Sequence, residues 1–162
     1  MEQAVVKIIA MAKHHEAFVS MLCVADEQVQ FVSPVGEILE TAFKNKDVTL
    51  YVILANNEVI GCFLIDKNFT LNDSFCEPSS LGLGKFLIDR HHQGKGFATN
   101  ALKYMKTYLK SQYPGYRNVY LTVNCRNKIA YKCYLKGGFT DDGDLYFGGT
   151  NGPQHVMKLD IS

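Results

Sequence analysis

The sequence predicts an α+β fold, in which strands and amphipathic helices are mixed along a chain of 162 residues. Two stretches rich in β-branched and aromatic residues flank Asn56-Asn57-Glu58, a pattern typical of a hairpin. Further along, a glycine-rich segment separates a strand pattern from a helix pattern. With 47% hydrophobic residues the chain can bury a core, and no linker or repeat divides it. We therefore expect a single domain over residues 1–162.

Each expected element follows from the spacing and type of the apolar residues. Strands are expected at residues 5–10, 48–55, 59–65, 81–89, 119–123, 145–147 and 155–159. Helices are expected at residues 14–24 and 35–44, from residue 98 to the stop at Pro114-Gly115, and at residues 129–136. Residues 67–80 are rich in Asn, Asp, Ser and Pro, so we expect a loop that borders a ligand site.

Composition argues against several classes of protein. Seventeen basic and sixteen acidic side chains leave a net charge of +1, so no overall field attracts nucleic acid. The five cysteines form no CxxC or CxH pattern, and an odd number does not fit a full disulfide framework. No apolar run approaches the ~18 residues of a membrane span, and the N-terminus lacks a secretion signal. We expect a cytoplasmic protein that binds neither nucleic acid nor membrane.

The glycine-rich segment Gln93-Gly94-Lys95-Gly96-Phe97-Ala98 is suited to binding an anion. Glycine lets the backbone approach a ligand closely, because it has no Cβ. The first N–H groups of the helix that follows lack acceptors within the helix and lie at the positive end of its dipole. The expected ligand is therefore a phosphate or pyrophosphate.

Two widespread phosphate-binding loops fit this segment poorly. The P-loop of nucleotidases requires GxxxxGK before Ser or Thr, whereas Lys95 stands between two glycines. A dinucleotide-binding loop requires GxGxxG and an acidic residue about twenty positions later. Here the third glycine is missing and the next strand ends at Asn124. A different kind of phosphate site is expected.

The glycine-rich segment and a second motif together indicate which kind of site it is. The segment Gln93 to Ala98, after the strand residues 86–89, resembles the Q/R-x-x-G-x-G/A signature of the GNAT superfamily of N-acetyltransferases. Asn127 and residues 130–139 are similar to that family's N-x-x-A-x-x-x-Y-x-x-x-G-F segment. This resemblance covers roughly residues 81–139. Phe31-Val32-Ser33-Pro34 and residues 152–159 also resemble a bacterial subgroup that acetylates spermine, spermidine and related diamines.

The resemblance implies a fold and a cofactor site. The fold is a mixed, mostly antiparallel sheet of six to seven strands, flanked by about four helices and splayed between the fourth and fifth strands. Acetyl-CoA is the implied cosubstrate, held by Gln93, Gly94, Lys95, Gly96, Phe97, Ala98 and Thr99. Backbone N–H groups of Leu87 and Ile88 are expected to bind the thioester oxygen. Asn127 is expected to contact the pantetheine and to cap its own helix.

The same resemblance implies direct attack of an amine on the thioester in a ternary complex. Tyr134 is the expected general acid for the CoA thiolate, because a phenol with a reference pKa of about 10 is protonated at neutral pH. The base stays open. The glutamate that several relatives place on the preceding strand is missing from Gly84-Lys85-Phe86. A water relay, or a carboxylate from Glu77, Asp73 or Asp26, remains.

Other residues that invite a functional interpretation are expected to be structural. His91 and His92 match variable loop positions of the family, so we expect exposed histidines near a phosphate. Neighbouring residues seldom point at one ion, so the pairs His14-His15 and His91-His92 predict no metal site. Tyr51 and Phe31 are expected in the core rather than at the acceptor.

The leading functional hypothesis is transfer of acetyl from acetyl-CoA to a primary amine of a small molecule, with polyamines as the favoured class. One alternative is acetylation of a protein or peptide amine. The other is a non-catalytic acyl-CoA-binding module, which Tyr134 argues against, since a binder needs no proton donor. By analogy with family members, a homodimer through the edge of the C-terminal strand pair is a further expectation.

Overall fold

The computed structural model describes residues 6–31, 34–69, 77, 79–149 and 152–162. Within these residues there are seven strands: β1 (Val6–Ala10), β2 (Val48–Ala55), β3 (Glu58–Asp66), β4 (Ser80–Ile88), β5 (Asn118–Asn124), β6 (Thr140–Tyr146) and β7 (Gln154–Asp160). The same residues form four α-helices: α1 (Glu16–Ser20), α2 (Val35–Lys44), α3 (Phe97–Gln112) and α4 (Lys128–Lys136). Short 3-10 helices cover Lys13–His15, Asp26–Phe31 and Arg90–His92. The predicted α+β fold is confirmed.

Three elements differ from the expectation. The helix expected at residues 14–24 is a 3-10 turn followed by the short α1. Asp26–Phe31 forms a 3-10 helix that the spacing of the apolar residues did not predict. β6 begins at Thr140 instead of residue 145, although it contains several aspartates and a glycine. Its pairing with β7 outweighs its low strand propensity, because cross-strand contacts decide strand formation more than the residue type does.

The strands form one sheet in the order β1-β2-β3-β4-β5-β7-β6. All neighbouring strands are antiparallel except β4 and β5, which are parallel. Their pairing is limited to Ser80–Gly82 of β4 and Asn118–Tyr120 of β5. The rest of each strand has no partner in the other, so the two strands part toward their C-terminal ends. This is the predicted splay between the fourth and fifth strands.

The sheet is covered on both faces because its central strands are apolar on both sides. On one face Val52 and Leu64 pack with Val19 of α1 and Ile38 of α2. On the other face the strand residues pack with α3 and α4 instead. That cluster includes Ile53, Phe63, Leu81, Met105, Leu109 and Tyr134. The opening between β4 and β5 therefore connects the face of α1 and α2 with the face of α3 and α4.

α3 and α4 approach each other closely at Gly137, directly after α4. A Cβ on Gly137 would lie 2.6 Å from the Cβ and 2.8 Å from a Cδ of Leu102, a fully buried residue of α3. Contacts of this length do not occur between real carbon atoms, so one of the two helices would have to move. Packing therefore requires glycine at position 137. The contact sets the distance between α3 and α4, and both helices carry residues that line the opening between β4 and β5.

We expect Gly137→Ala to destabilise the protein by about 1–3 kcal/mol, the usual cost of overpacking a core. The measurement is the free energy of unfolding in urea. Gly36→Ala is the matched control, because a Cβ at Gly36 meets nothing within 4 Å and alanine favours helix formation. Equal stability of the two variants would contradict this account of the α3–α4 contact.

Candidate active site

A cleft of about 860 Å³ opens where β4 and β5 part. Its walls come from β4, the turn before α3, the end of β5 and the inner face of α4. Ten of the eleven residues predicted from the sequence line it: Leu87, Ile88, Gln93, Gly94, Gly96, Phe97, Ala98, Thr99, Asn127 and Tyr134. The exception is Lys95, which is exposed and lies outside the lining. The fold thus brings the two sequence motifs to one site.

A β-bulge turns β4 at the middle of the cleft. Leu64 of β3 is opposite Gly84, and Cys62 is opposite Leu87, so β4 contains an additional residue between these pairs. Lys85 takes up the bulge with a φ of 55°, a left-handed conformation that costs energy for a residue with a side chain. Bulges change the direction in which a strand presents its groups. This one lies beside the predicted thioester site.

The strand after the bulge presents the backbone of Ile88 to the cleft. Asp89, the next residue, donates its N–H to the Ile60 carbonyl of β3 at 2.7 Å. Successive residues of a strand direct their backbone groups to opposite edges, so Ile88 faces away from β3. In agreement, its carbonyl accepts a hydrogen bond from Gln93 Nε2 at 2.9 Å. The same alternation directs the Leu87 N–H toward β3.

The glycine turn exposes the N-terminus of α3 to the cleft. Gly94 and Gly96 have φ values of 75° and 84°, which favour glycine, and Gly96 is the N-cap of α3. A Cβ on either glycine would meet nothing within 4 Å, so the backbone conformation requires glycine, and packing does not. Phe97, Ala98 and Thr99 supply the first helical N–H groups, which have no acceptors within α3. Such a terminus is suited to a phosphate.

Asp89 holds the corner between β4 and the glycine turn. Its carboxylate accepts hydrogen bonds from the Cys23 N–H at 2.9 Å and the His91 N–H at 3.2 Å. Burial by itself would raise the pKa of Asp89, but these two N–H groups and the neighbouring His92 lower it below its ordinary value. The carboxylate is therefore ionised, and it joins the turn to the segment after α1.

His92 is more enclosed than the sequence suggested. The expectation of an exposed histidine holds for His91, but His92 is half-buried and lines the cleft. Its Nδ1 lies 3.5 Å from Asp89 Oδ2, and its Nε2 lies 3.8 Å from Glu58 Oε2. These distances allow charge attraction, but the geometry is not that of a hydrogen bond, and Nδ1 is buried without such a partner. The expectation was wrong because the turn folds back against β3.

Asn127 is the N-cap of α4, as predicted. Its Oδ1 accepts a hydrogen bond from the Ala130 N–H at 3.3 Å and a second one from Gln28 Nε2 at 3.2 Å. The side chain is buried, and it lines the cleft. Because the oxygen is already used twice, a contact with a ligand falls to the amide nitrogen.

Tyr134 lies on the inner face of α4 and is 9% exposed. Its ring packs edge-on against Phe86 of β4 at 6.0 Å and against Phe139 at 5.7 Å, measured between ring centroids. Burial, together with the neighbouring Cys133, raises the pKa of Tyr134 well above its ordinary value. The phenol is therefore neutral at physiological pH and retains a proton to donate.

Basic side chains line the cleft at several points, which the sequence analysis did not identify. Lys132 and Lys136 lie four residues apart on α4 and both face the cleft, and Lys85 lines it from β4. The i, i+4 spacing of the two lysines on a helix was the available signal. Basic walls raise the local concentration of an anionic ligand.

The three carboxylates considered as a base lie elsewhere or outside the described residues. Glu77 is bound by Asn118 Nδ2 at 3.1 Å and Lys158 Nζ at 3.4 Å, and it does not line the cleft. Asp26 is exposed and is not part of the lining either. Asp73 lies outside the described residues. Within the described lining, no carboxylate can take a proton from the amine.

The two aromatic residues expected in the core have different positions. Tyr51 is buried, and its hydroxyl lies 2.6 Å from that of Tyr113, so the expectation is confirmed for Tyr51. Phe31 lines the cleft instead, with the Arg126 guanidinium 5.9 Å from the centroid of its ring. The 3-10 helix Asp26–Phe31 turns this side chain toward α4. Its neighbours Val32 and Ser33 lie outside the described residues.

Two absences in the described part of the chain bear on other ligands and partners. No cluster of His, Cys, Asp and Glu side chains with the arrangement of a metal site is found there. In the same residues, no helix has the length and apolar character needed to cross a bilayer.

Comparisons with known proteins show the family to which this chain belongs. Residues 9–139 match the model of the acetyltransferase (GNAT) family. The chain is 29% identical over 147 residues to a probable spermine N(1)-acetyltransferase of Bacillus subtilis subsp. natto, covering 89% of this chain and 93% of that protein.

Two solved structures are similar in fold. AAC(6')-Ib in complex with ribostamycin and coenzyme A has a TM-score of 0.77 at 20% identity, over 96% of this chain and 93% of that one. Spermidine N-acetyltransferase from Vibrio cholerae, in complex with CoA and spermine, has a TM-score of 0.70 at 18% identity, over 96% and 95%.

The family match covers most of the chain, from the end of β1 through α4 to Phe139, directly before β6. The chain therefore belongs to the acetyltransferase (GNAT) family. It is an enzyme of the N-acetyltransferase class, as the two sequence motifs predicted.

We expect Asp89→Asn to remove an acid-dependent part of the stability. Because the folded-state pKa of Asp89 is lowered, its contribution is present above the unfolded-state pKa of about 3.9 and is lost as the pH falls through the lower folded value. Thermal unfolding between pH 2 and pH 7 measures it, with the exposed Asp144→Asn as control. A difference between wild type and Asp89→Asn that does not narrow in acid would contradict the assignment.

Proposed function

We propose that this protein transfers acetyl from acetyl-CoA to a primary amine of a small molecule, by direct attack within a ternary complex. The supporting observation is that the open N-terminus of α3 and the buried phenol of Tyr134 line one cleft between β4 and β5. The N-terminus of α3 suits a pyrophosphate, and the phenol of Tyr134 suits a thiolate. A thioester of coenzyme A has both groups, one at each end of its pantetheine arm.

The charges of the cleft residues also suit coenzyme A. Backbone N–H groups of residues 94–99 would hold the pyrophosphate at the positive end of α3. Lys132 and Lys136 would attract its phosphates from α4, and the Asn127 amide nitrogen would bind the pantetheine. Lys95 is exposed and contributes charge at most. This assignment deepens the sequence-based one by adding the two lysines of α4.

The reaction follows from the groups around the thioester. The neutral amine nitrogen attacks the carbonyl carbon, and the Ile88 N–H would donate to the oxygen as it gains negative charge. As the carbon–sulfur bond breaks, the Tyr134 hydroxyl would donate its proton to the sulfur. The nitrogen then releases its surplus proton to water, and the Tyr134 phenolate takes up a proton from solvent, so the enzyme returns to its starting state. Because no carboxylate lines the described cleft, we propose that water takes this proton.

Polyamines are the first acceptor class to test. The relative named above is a probable spermine N(1)-acetyltransferase, which supports this class. The AAC(6')-Ib structure with ribostamycin points to aminoglycosides as a second class. The charged side chains of the described lining are basic, including Lys85 in the bulge. That charge is unfavourable for a polycation, so amines of lower charge belong in the same test.

A panel of amines with acetyl-CoA and a thiol-release readout measures the acceptor class. Spermidine, ribostamycin, glycine and a lysine-containing peptide represent the alternatives. We expect the highest kcat/KM with a small-molecule amine and little activity on the peptide. Faster turnover of the peptide would favour a protein acetyltransferase. Tight binding of acetyl-CoA without turnover of any amine would favour a non-catalytic acyl-CoA-binding module.

Tyr134→Phe tests the proton donor. We expect kcat to fall by about 10²- to 10⁴-fold, the usual contribution of a general acid, while the dissociation constant of coenzyme A stays the same. Tyr104→Phe is the matched control, since Tyr104 is an exposed tyrosine of α3 that does not line the cleft. An unchanged kcat in Tyr134→Phe would exclude it as the acid.

Gly96→Ala tests the pyrophosphate turn. Alanine at a φ of 84° costs about 1–2 kcal/mol, and the backbone shift that relieves it should weaken coenzyme A binding about 5- to 30-fold. Gly115→Ala is the matched control, because Gly115 has a φ of 94° and equal free space but lies beyond the far end of α3. Calorimetric titration should find weakened binding in Gly96→Ala alone, with a similar loss of stability in both.

Two further assignments are proposals of the same kind. The described cysteines, Cys23, Cys62, Cys125 and Cys133, are free, which supports the cytoplasm as the compartment.

A homodimer through the edge of β6 is less favoured than the sequence suggested. Asp142 and Asp144 are exposed at that edge and would face the same negative charges in a second copy.

A further inference from the structure

A short segment after α1 crosses the open end of the cleft. We call residues 23–31, from Cys23 to the end of the 3-10 helix Asp26–Phe31, the bridge. The bridge begins on the face of the sheet that α1 and α2 cover. Three of its side chains, Val24, Gln28 and Phe31, line the cleft.

The first anchor of the bridge is the corner after β4. The Cys23 N–H donates to Asp89 Oδ1 at 2.9 Å, and the Arg90 N–H donates to the Cys23 carbonyl at 2.6 Å. Asp89 also caps the 3-10 helix that leads into the glycine turn. The start of the bridge is thus fixed to the element that presents the N-terminus of α3.

The second anchor is the corner after β5. Gln28 Nε2 donates to Asn127 Oδ1 at 3.2 Å, and the Arg126 guanidinium lies 5.9 Å from the Phe31 ring centroid. Asn127 Oδ1 also accepts the Ala130 N–H, which is the cap of α4. Gln28 and the first turn of α4 therefore share one oxygen atom.

The bridge joins the C-terminal ends of the two strands that part. β4 and β5 are parallel, so their C-terminal ends lie at the same edge of the sheet, and the segment connects the corner beyond each of them. In the proposed reaction the glycine turn and α4 hold the cofactor from the face of α3 and α4. The face of α1 and α2, on which Val24 of the bridge packs, is then left for the amine.

We infer that Gln28 is a positioning residue that couples the two substrates of the proposed acetyl transfer. It is part of the wall that the amine contacts, and it holds Asn127, which caps the helix of Tyr134. A cofactor that contacts the glycine turn and Asn127 fixes both anchors and thereby orders the bridge. By thermodynamic reciprocity, an amine that orders the bridge strengthens cofactor binding by the same factor. This inference rests on the proposed function.

Gln28→Leu tests the coupling, with Val29→Ala as the matched control. Leucine keeps the volume and loses the hydrogen bond, whereas Val29 is in the same 3-10 helix, is 58% exposed and does not line the cleft. The first measurement is hydrogen exchange of residues 23–31 and 93–98, with and without coenzyme A. The second is the KM for the amine that gives the highest kcat/KM in the panel.

In wild type and Val29→Ala, coenzyme A should slow exchange in both segments. In Gln28→Leu it should still slow exchange at residues 93–98 and at Cys23, which stays bound to Asp89, but no longer at residues 26–31. The KM for the amine should rise about 2- to 10-fold in Gln28→Leu, the fold-change that corresponds to loss of one hydrogen bond.

The outcomes separate this inference from the proposed function. If coenzyme A leaves exchange at residues 93–98 unchanged in wild type, the proposed cofactor site is wrong. If it protects residues 93–98 but not the bridge in wild type, or protects the bridge equally in Gln28→Leu, the coupling through Gln28 is wrong while the cofactor site stands.

Discussion

The parting of β4 and β5 is the constraint on which the rest of this structure depends. Two parallel strands that separate leave a row of backbone N–H and C=O groups without partners, and buried groups of this kind are costly unless something else binds them. In this protein the Ile88 carbonyl accepts a hydrogen bond from the Gln93 side chain, and the Ile88 N–H faces the cleft. The opening therefore persists because the surrounding elements hold the strands apart. A bound ligand would supply hydrogen-bond partners for the backbone groups of the separated strands.

Three features maintain the opening. The bulge at Lys85 changes the direction of β4 shortly after Gly82, the last residue of β4 that pairs with β5, at the expense of a left-handed backbone conformation. The close contact between Gly137 and Leu102 fixes α4 against α3, and the first turn of α3 and the inner face of α4 both line the cleft. Residues 23–31 join the two corners beyond the strands. The bulge acts through the backbone, whereas the other two features act through side chains of elements that are distant in sequence, so the cleft depends on both.

The sequence was informative where function is local and silent where it is not. The turn at Gly94 and Gly96 could be predicted because a left-handed backbone and a helix N-terminus each leave a signal within a few residues. Tyr134 and Asn127 were predicted from resemblance to a family motif, which was recognisable because it lies within one short helix and its N-cap. The contact of Gln28 with Asn127 spans 99 residues, and no local period encodes a contact of that kind. The same limit explains Phe31 and His92, whose side-chain directions depend on distant strands.

The burial of Tyr134 has a consequence for how the enzyme would respond to alkaline conditions. Removing the phenol from water, with Cys133 beside it, means that ionisation is unfavourable, so this donor stays intact at pH values where an exposed tyrosine begins to lose its proton. Alkaline media also convert ammonium into free base. Both trends act in the same direction, so basicity would not restrict turnover through this group. A decline at high pH would then have a cause other than ionisation of Tyr134.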